Sequence, residues 1–477
     1  MSKEIADKIC LVILAAGQGT RMKVSTPKPL IPIMNRPMLD YVLDTCLDFR
    51  RHKVKNALIS LVVGHQSEVM KAYVDQHYHS ENLHITMQQK QLGTADAVKS
   101  FLAQCPDVMS YKYIFILSGD VPMVSLEHLE KIYSEISSRH LKAVVATVIT
   151  ENPTGYGRIQ LHSTGLSIVE EKDADAEVKK ITSINTGLYV FETKYLKDCI
   201  EKISNNNKSH EFYLTDTFQS GREVGAVHFD HGEDLLGINT LEQLEQTSKR
   251  INRRNLLKLS AQGVRFWDFA STFIEPSVAI ASGSVIYPNV IIEGQTKIAA
   301  GCSVGPFCHL KNVELAEDVQ VKSHSMLEGC KIASRAEVGP FARLRPGADI
   351  GSKAKVGNFV EIKKSTIGPG AKVSHLSYVG DAIVGDNTNI GCGFITCNYD
   401  GVEKHVTKIG KNCFIGSDTQ TIAPVEIGDN CFVASGSTIN TPMPDGSFGI
   451  SRGRQTTHLN MAKRFLKVKD KDKHKDA

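Results

Sequence analysis

The sequence predicts two different folds in one chain: a doubly wound α/β domain, and after it a left-handed parallel β-helix of hexapeptide repeats, joined to the first by a long α-helix. Three observations support this. Apolar runs and amphipathic segments alternate over about the first 230 residues, an aliphatic residue recurs every six positions from about residue 280, and good helix formers fill the segment between.

The first half has the pattern of a mostly parallel sheet. Its apolar runs predict strands at Ile9–Leu14, Ala57–Val63, His84–Met87, Tyr113–Leu117 and Ala143–Ile149. Its amphipathic segments predict helices at Pro37–Phe49, Ser67–His77, Ala95–Gln104 and Leu126–Ile136, the last two with Thr94 and Ser125 as N-caps. Because strands this apolar are covered on both faces, we expect ligands beyond their carboxyl ends.

The junction is predicted to be one helix. Thr240-Leu-Glu-Gln243 has the pattern of a capping box, and helix formers continue to Gln262, before Gly263. Such a helix would be about 33 Å long, enough to hold two domains apart. We therefore expect a first domain at 1–240, a linker helix at 241–262, a β-helix at 263–458 and a solvated basic tail at 459–477.

The repeat in the second half fits neither a helix nor a simple strand. Aliphatic residues stand six apart from Ile280 to Leu310, and the count resumes at Ile332 and continues, with slips, to Ile439. A period of six fits a triangular coil in which each flat face takes one repeat. An irregular β-sandwich would not keep this pattern for about 160 residues.

Composition limits the classes of function. A net charge of +4 with 23% charged residues gives no case for nucleic-acid binding. The longest early apolar run, from Ile9 to Ala16, is too short to span a bilayer. The eleven cysteines lack CxxC pairs, which favours reduced thiols over disulfides or metal sites. We expect a cytoplasmic protein with no membrane insertion.

A glycine-containing loop directly follows the first predicted strand. Gly17 and Gly19 would let backbone N–H groups line a phosphate, and Arg21 adds a fork-shaped donor. The spacing is neither that of a Walker loop nor GxGxxG. Taken alone, the loop is equally compatible with a tight turn.

The longer motif is more specific. Leu14-Ala-Ala-Gly-Gln-Gly-Thr-Arg-Met22, followed by Pro27-Lys28-Pro-Leu30, resembles the signature of sugar-phosphate nucleotidylyltransferases, which join a nucleoside triphosphate to a sugar 1-phosphate and release pyrophosphate. The resemblance implies that Arg21 and Lys28 are catalytic, since positive charge must stabilise the attacked α-phosphate. It also implies nucleotide contacts at Leu14, Ala15, Ala16, Gly17 and Lys28.

Further elements of this resemblance narrow the substrate. Asp120, in Ser118-Gly-Asp-Val-Pro122, and Asn239, in Gly237-Ile-Asn239, resemble two ligands of Mg²⁺, which prefers oxygen donors. The chain resembles uridylyltransferases at the residues that read uracil, which here are Gln88, Gly93 and Thr94. It also resembles them at the residues that bind an N-acetylhexosamine, which here are Gly157, Glu170 and Asn185. The implied ligands are UTP, Mg²⁺ and a UDP-sugar, which Asn239 would also contact.

Motifs on the β-helix extend the resemblance. They are Phe341-Ala-Arg-Leu-Arg345-Pro-Gly347, Gly357-Asn-Phe-Val-Glu-Ile-Lys363, His375-Leu-Ser-Tyr378, Asn387-Thr-Asn389, Cys397-Asn-Tyr-Asp-Gly401 and Gly416-Ser-Asp-Thr-Gln420. From Leu11 to about Gln455 the chain resembles the family of bifunctional UDP-N-acetylglucosamine pyrophosphorylase/glucosamine-1-phosphate N-acetyltransferases. The resemblance implies acetylation of glucosamine 1-phosphate by acetyl-CoA, then UMP transfer from UTP, which gives UDP-N-acetylglucosamine for bacterial envelope polymers.

The same resemblance implies roles in the second site. His375 would be the general base, because an imidazole can accept the proton of an attacking amine. The sugar phosphate would be held by Arg345, Lys363, Tyr378 and Asn389. Acetyl-CoA would be contacted by Cys392, Asn398, Tyr399, Ser417, Ser435 and Arg452. Sites of this kind lie between the subunits of a homotrimer.

Departures from the family pattern keep alternatives open. Gln18 replaces a frequent lysine, Ser118 a frequent aromatic residue, and Cys392 and Ser435 the usual alanines. One alternative is a nucleotidylyltransferase whose β-helix only trimerises, and another is a scaffold with both sites inactive. A zinc hydratase on the same fold would need three histidines that converge between subunits, and no matching motif surrounds His309, His324, His375 or His405.

Overall fold

The chain forms two compact units, Met1–Ile251 and Asn252–Ala477. The computed structural model describes residues 5–17, 22–105, 107–163, 165–218, 223–230 and 232–466. The boundary between the units falls inside the predicted junction helix, whose capping box is confirmed: Thr240 Oγ1 accepts from Gln243 N at 3.2 Å, and Gln243 Oε1 accepts from Thr240 N at 3.1 Å. The finer domain limits stay predictions. Within the described ranges, no helix is both long and apolar enough to cross a membrane.

The first unit alternates strands and helices as the sequence predicts. Its strands are β1 (Ile9–Leu14), β2 (Pro32–Ile33), β3 (Arg36–Pro37), β4 (Leu58–Val63), β5 (His84–Met87), β6 (Tyr113–Ser118), β7 (Ala143–Ile149), β8 (Arg158–His162), β9 (Gly165–Val169), β10 (Ser183–Glu192) and β11 (Val224–His228). The helices are α1 (Met38–His52), α2 (Ser67–Tyr78), α3 (Thr94–Gln104), α4 (Leu126–Ser138), α5 (Thr193–Ile200) and the junction helix α6 (Leu241–Ala261). Short 3₁₀ turns include Lys28–Leu30 and Leu214–Thr217.

The main sheet has the strand order β11-β7-β10-β6-β1-β4-β5. Strand β1 is parallel to β4 and β6, whereas β10 runs antiparallel to both β6 and β7. Side chains of β1 are buried on both faces, Cys10 and Val12 in one core and Leu11 and Ile13 in the other. The predicted doubly wound, mostly parallel sheet is confirmed, and the strands of its parallel part end at one shared edge.

The second unit is a left-handed parallel β-helix, and each regular coil gives one short strand to each of three flat faces. Face A contains Arg265–Phe266, Val285–Ile286, Ser303–Val304, Gln320–Val321, Glu337–Val338, Lys355–Asn358, Lys372–His375, Asn389–Ile390, Phe414–Ile415, Phe432–Val433 and Phe448–Gly449. Face B contains Phe273–Ile274, Ile291–Glu293, His309–Lys311, Met326–Glu328, Arg343–Leu344, Glu361–Lys363, Tyr378–Gly380, Ile395–Cys397, Gln420–Ile422 and Thr438–Ile439. Face C contains Ala279–Ile280, Lys297–Ile298, Glu314–Leu315, Lys331–Ile332, Asp349–Ile350, Thr366–Ile367, Ala382–Val384, Thr407–Ile409 and Val425–Ile427.

The six-residue pattern marks the side chains that fill the axis of the coil, and these form one continuous buried core. The predicted pattern broke off after Leu310, but the core continues without a gap through Leu315, Val321 and Leu327. The step from Leu310 to Leu315 is five residues instead of six, so one turn is a residue shorter while the faces stay in register. A shortened turn changes the count in the sequence without interrupting the coil.

One segment leaves the coil. After Thr396, which points inward in place of an aliphatic residue, the chain makes an excursion over residues 398–406 and returns at Thr407. Pairing across the excursion joins Ala382 to Thr407, 25 positions later, whereas Glu361 pairs with Tyr378 only 17 positions later. The excursion therefore adds a loop to the surface beside face B without disturbing the stack.

Candidate active sites

The residues after β1 line a cavity of about 510 Å³ at the carboxyl edge of the sheet. Its lining includes Leu14, Ala15, Ala16, Gly17, Lys28, Gln88, Gly93, Thr94, Ser118, Asp120, Glu211 and Asn239. Ala15 N donates to the carbonyl of Val62 at 2.9 Å, so the chain follows β4 before it enters the loop. The predicted catalytic Arg21 and the departure Gln18 lie outside the described residues.

The two predicted metal ligands converge on the ammonium group of Lys28. Lys28 Nζ forms a short ion pair with Asp120 Oδ2 and donates to Asn239 Oδ1 at 2.9 Å. The carbonyl of Asp120 accepts from Ile238 N at 3.0 Å, which fixes the Gly237-Ile-Asn239 loop against the end of β6. A carboxylate and an amide oxygen thus face one cation, a donor set that suits Mg²⁺.

The predicted uracil-reading residues form one wall of the cavity. Gln88 is buried, and its Nε2 donates to the carbonyl of Gly93 at 3.2 Å and to Asp96 Oδ2 at 2.7 Å. The prediction of Thr94 as an N-cap is wrong: α3 begins at Thr94, and Gly93 is the capping residue. Thr94 Oγ1 instead accepts from Leu214 N at 3.0 Å, a long-range partner that local pattern could not indicate.

Gly93 occupies a backbone conformation that other residues avoid, with φ of +122°, and a Cβ there would overlap the carbonyl of Phe212. We expect Gly93→Ala to destabilise the first unit by about 2–3 kcal/mol and to weaken UTP binding. Thermal unfolding and nucleotide titration of the whole chain measure both effects. Gly155→Ala is the control, because Gly155 has φ of +87° but no atom within 4 Å of a Cβ. Equal losses in the two variants would assign the effect to backbone strain alone.

The predicted sugar-binding residues lie together where β8 meets β10. Asn185 N donates to the carbonyl of Gly157 at 2.9 Å, and Asn185 Nδ2 donates to the hydroxyl of Tyr189 at 2.6 Å. Glu170 acts electrostatically on the same tyrosine, which places it in this group. A Cβ on Gly157 would lie 3.2 Å from Ile168 Cγ2, closer than an ordinary contact, and 3.5 Å from Asn185 Cβ, so the absence of a side chain leaves room for Ile168.

Glu170 has an acidic and partly desolvated environment. Burial raises the pKa of its carboxyl group, nearby acidic groups, Asp216 first among them, add to the increase, and the hydroxyl of Thr215, donating at 2.9 Å, opposes it. Burial also raises the pKa of Asp216. Sequence reasoning missed Thr215, Asp216 and the cavity residue Glu211. The sequence contained one indication of these residues, because two acidic residues, at positions 211 and 216, flank a short and mostly apolar run.

In the second unit, His375 is exposed and has one defined partner. His375 Nδ1 lies 2.8 Å from Asn358 Oδ1, and Asn358 is its pairing partner in the preceding coil. An amide oxygen can only accept, so Nδ1 carries the hydrogen, and the neutral form of the ring that fits this contact has its lone pair on Nε2. The sequence motif contained Asn358, and the stacking of the coils brings it into contact with His375.

Three cationic side chains lie near the corner between faces B and C. Lys404, in the excursion, acts most strongly on Lys363 and lowers the pKa of its ammonium group; partial desolvation and Arg345 act in the same direction, and Asp381 opposes them. Arg345 also pairs with Glu361, Nη1 to Oε1, at 2.9 Å. The repulsion between these cations would be relieved by a phosphate dianion. Lys404 was not predicted.

The remaining sugar-phosphate predictions lie on different faces. Tyr378 is on face B beside Glu361, and a Cβ on Gly380 would overlap its hydroxyl, so this glycine makes room for the phenol. Asn389 is on face A, where it pairs with Lys372 and Phe414. Within one chain, the structure brings Tyr378 close to the cations but leaves Asn389 on another face.

Four of the predicted acetyl-CoA residues form a ladder along the corner between faces A and B, here called the A–B ladder: Cys392, Ser417, Ser435 and Arg452. The carbonyl of Cys392 accepts from Asp418 N at 2.7 Å, and that of Ser417 accepts from Gly436 N at 2.8 Å. The carbonyl of Ser435 accepts from Arg452 Nη1 at 2.9 Å. By the register of face A, Cys392 follows His375 by one coil.

Asn398 and Tyr399 lie at the other end of face B, where the excursion begins. Asn398 Nδ2 donates to Asp381 Oδ2 at 2.5 Å, and Tyr399 forms a β-bridge with Lys404. These two residues therefore belong with the cationic group, separated by the width of face B from the A–B ladder. A single chain does not unite the two parts of the predicted acetyl-CoA site.

Two of the histidines considered for the hydratase alternative pair with carboxylates. In the part of the chain that the structure describes, no three His, Cys, Asp or Glu side chains are grouped to hold a metal ion. His309 pairs with Glu293, Nε2 to Oε2, at 2.8 Å, and His405 Nε2 lies 2.7 Å from Asp400 Oδ2. Both have local structural partners.

Comparisons with known proteins agree with this arrangement. Residues 10–234 match the family model described as nucleotidyl transferase, and residues 407–441 match bacterial transferase hexapeptide (six repeats). A protein described as bifunctional protein GlmU from Thermosipho africanus is 41% identical over 444 residues, which cover 93% of this chain and 95% of that protein. The protein of the same description from Brevibacillus brevis is 39% identical over 464 residues, 96% of this chain and 98% of that protein.

Fold, sites and comparisons together define a transferase with a nucleotidyltransferase domain and a hexapeptide acyltransferase domain. The chain belongs to the bifunctional GlmU family. It is an enzyme with two activities, acetylation of glucosamine 1-phosphate by acetyl-CoA and transfer of UMP from UTP to N-acetylglucosamine 1-phosphate. The predicted family is confirmed, and the monofunctional and inactive alternatives are set aside.

Proposed function

We propose that the cavity of the first unit performs the uridylyl transfer and that the corners of face B perform the acetyl transfer, with the side chains predicted from the sequence in their predicted roles. The observation that carries this proposal is the convergence of Lys28, Asp120 and Asn239 on one point of the cavity. The pair of His375 and Asn358 in the second unit is the matching observation for acetyl transfer.

In the acetyl transfer, His375 Nε2 takes a proton from the amine of glucosamine 1-phosphate. The amine nitrogen attacks the thioester carbonyl, the new C–N bond forms, and the C–S bond breaks. The imidazolium then returns the proton to the departing thiolate, so coenzyme A leaves as a thiol. Asn358 keeps the imidazole in the reactive tautomer, and Arg345 and Lys363 hold the sugar phosphate.

Lys404 is proposed as a third phosphate ligand of this site. Lys404→Met is expected to raise the KM for glucosamine 1-phosphate at least tenfold, because a hydrogen bond to a charged group contributes about 1.5–3 kcal/mol. Steady-state assays of thiol release measure the effect, and kcat should change less. Lys408→Met is the matched control, since Lys408 pairs with Glu426 across face C. A KM that is the same in both variants would contradict the role.

In the uridylyl transfer, Lys28 and Arg21 stabilise the charge on the α-phosphate while a phosphate oxygen of the sugar attacks it and pyrophosphate leaves. The residues that would hold Mg²⁺ are Asp120 and Asn239, whose oxygens already face a cation, and the metal would neutralise part of the triphosphate charge. The nucleotide would lie against the cavity residues Leu14–Gly17, Gln88, Gly93 and Thr94. The N-acetyl sugar would lie against the group formed by Gly157, Glu170 and Asn185.

We also propose a homotrimer in the cytoplasm. Asn389, the A–B ladder and the Asn398–Tyr399 pair lie apart in one chain, and a site shared between subunits would bring such groups together. The cysteines of the described residues are all free, which suits a reducing compartment. The substrates are small molecules, and no nucleic-acid partner is proposed.

Paired assays on one purified sample test the proposal. One follows free thiol from acetyl-CoA and glucosamine 1-phosphate, and the other follows pyrophosphate from UTP and N-acetylglucosamine 1-phosphate with and without Mg²⁺. Both products are expected, the second only with the metal. Pyrophosphate without thiol would reduce the β-helix to a structural module, and metal-independent pyrophosphate release would overturn the role of Asp120 and Asn239.

A further inference from the structure

The side-chain amide of Gln88 is held in one orientation by two acceptors. The backbone is fixed first, because Gln88 N donates to the carbonyl of Val63 at 2.8 Å and so extends the pairing of β4 with β5. Gln88 Nε2 then donates to Asp96 Oδ2 at 2.7 Å and to the carbonyl of Gly93 at 3.2 Å. An ionised carboxylate and a peptide carbonyl can only accept, so the amide NH₂ group must point toward them and the amide oxygen away from them.

The amide oxygen of Gln88 is thereby left for a ligand. Gln88 lines the cavity of the first unit, and only 3% of the residue is exposed. Within the described ranges, no side chain and no backbone N–H donates to Gln88 Oε1. An acceptor with so little access to water gains from a ligand that donates a hydrogen bond to it, and disfavours a ligand that presents a lone pair.

Uracil and cytosine differ at the atom that such an oxygen can distinguish. Uracil carries a hydrogen on N3, whereas N3 of cytosine carries a lone pair and no hydrogen. An oxygen facing this edge accepts from uracil and is repelled by cytosine, and an amide turned the other way would do the reverse. A site arranged to accept a hydrogen bond rejects the analogue that cannot donate one. The base that is selected therefore depends on what holds the amide.

Asp96 is the stronger of the two groups that hold it. Its bond to Gln88 Nε2 is the shorter one, and a hydrogen bond to an ionised group is about twice as strong as one between neutral groups. Asp96 also lies in the first turn of α3, where the N–H groups of the helix start stabilise a negative charge. Of these two described side chains, Gln88 lines the cavity and Asp96 does not, so any effect of Asp96 on the base passes through the glutamine.

We propose that Asp96 is a positioning residue that determines the base selectivity of the uridylyl transfer, because it fixes the amide of Gln88 with its oxygen toward the base. The proposal rests on the nucleotide site proposed above and adds to it a residue that does not touch the nucleotide. A purely structural role of Asp96 in α3 would change the stability of the first unit without favouring one base over the other.

The test measures the Kd of UTP and of CTP by titration of the whole chain in the presence of Mg²⁺. Asp96→Asn keeps the shape of the side chain, but its amide can also donate to Gln88 Oε1, so both orientations of the glutamine become available. The ratio of the Kd for CTP to the Kd for UTP is expected to fall about tenfold, as for the loss of one hydrogen bond to a charged group. Asp107→Asn is the matched control, because Asp107 is an exposed acid just beyond α3 whose side chain caps no helix.

A second variant separates orientation from stability. Asp96→Ala removes the carboxylate without adding a donor, and the carbonyl of Gly93 still accepts from Gln88 Nε2. The alanine variant should therefore keep more of the base selectivity than the asparagine variant. A structural role predicts the opposite order, because alanine departs further from the shape of aspartate. Thermal unfolding of both variants records the stability independently.

The outcomes separate this proposal from the function beneath it. Equal losses of UTP and CTP affinity in Asp96→Asn, or an unchanged ratio, overturn the positioning role while the uridylyl transfer stands. Wild type that binds CTP as tightly as UTP would show that the amide of Gln88 does not select the base, and would also overturn it. Wild type that releases no pyrophosphate from UTP and N-acetylglucosamine 1-phosphate would instead remove the proposed site itself.

Discussion

Replacing His375 by alanine is expected to lower the rate of acetyl transfer about a hundredfold to ten-thousandfold, the usual contribution of a general base. The side chain is exposed and its hydrogen bond to Asn358 is the contact that defines its orientation, so the substitution should leave the free energy of unfolding nearly unchanged. The measurement is free thiol released from acetyl-CoA at saturating glucosamine 1-phosphate. Pyrophosphate release in the same sample should equal that of wild type.

The uridylyl activity is the internal control, because it depends on residues of the other unit. His324→Ala is a second control, since His324 is a histidine of the β-helix stacked between Phe307 and Phe341. Acetyl transfer by His375→Ala at the wild-type rate would show that another group takes the proton. Asn358→Asp tests the hydrogen-bond arrangement: a carboxylate beside Nδ1 favours the imidazolium, so the pH–rate profile should move to higher pH.

The β-helix could be predicted in unusual detail because its geometry is periodic. Once the aliphatic residues are assigned to the axis, a residue and its partner in the next coil are 17 or 18 positions apart, as with Asn358 and His375. The contact between these two side chains could therefore have been derived from the sequence. Lys404 could not, because it lies in the excursion, where the pairing interval changes to 25 and a β-bridge with Tyr399 sets its position.

In the first unit, the strands and the motif residues were predictable, but their contacts were not. The end of a strand indicates where Asp120 lies, yet its ion pair with Lys28 depends on a loop 92 positions earlier in the chain. The start of α3 shows the same limit. Threonine is a favourable N-cap residue, but the hydroxyl of Thr94 instead accepts a hydrogen bond from the backbone N–H of Leu214. Local pattern assigns elements, whereas contacts between loops require the fold that brings them together.

Asp120→Asn is expected to lower uridylyl transfer about a thousandfold and leave acetyl transfer intact. The substitution keeps the shape of the side chain but removes its negative charge. Among the described residues, Asp120 is the acidic group that pairs with the ammonium of Lys28. If Asp120 helps to hold Mg²⁺, the loss corresponds to the several kcal/mol of charge stabilisation that a metal ion supplies, and about 4 kcal/mol is a thousandfold in rate. Pyrophosphate release over a range of Mg²⁺ concentrations is the measurement.

The dependence on metal concentration distinguishes two roles for this carboxylate. If Asp120 holds Mg²⁺, the variant should recover part of its rate at higher metal concentration, and a chelator should stop the wild-type uridylyl reaction but not thiol release. If Asp120 only positions Lys28, added metal should restore nothing, and Lys28→Met should show a similar loss at every Mg²⁺ concentration. Asp75→Asn, at an exposed position on α2, provides the baseline for losing one carboxylate. Lys28 occupies the point on which both oxygens converge, so if Asp120 and Asn239 hold Mg²⁺, the ammonium would have to leave that point and exchange the carboxylate for the triphosphate when the substrate binds.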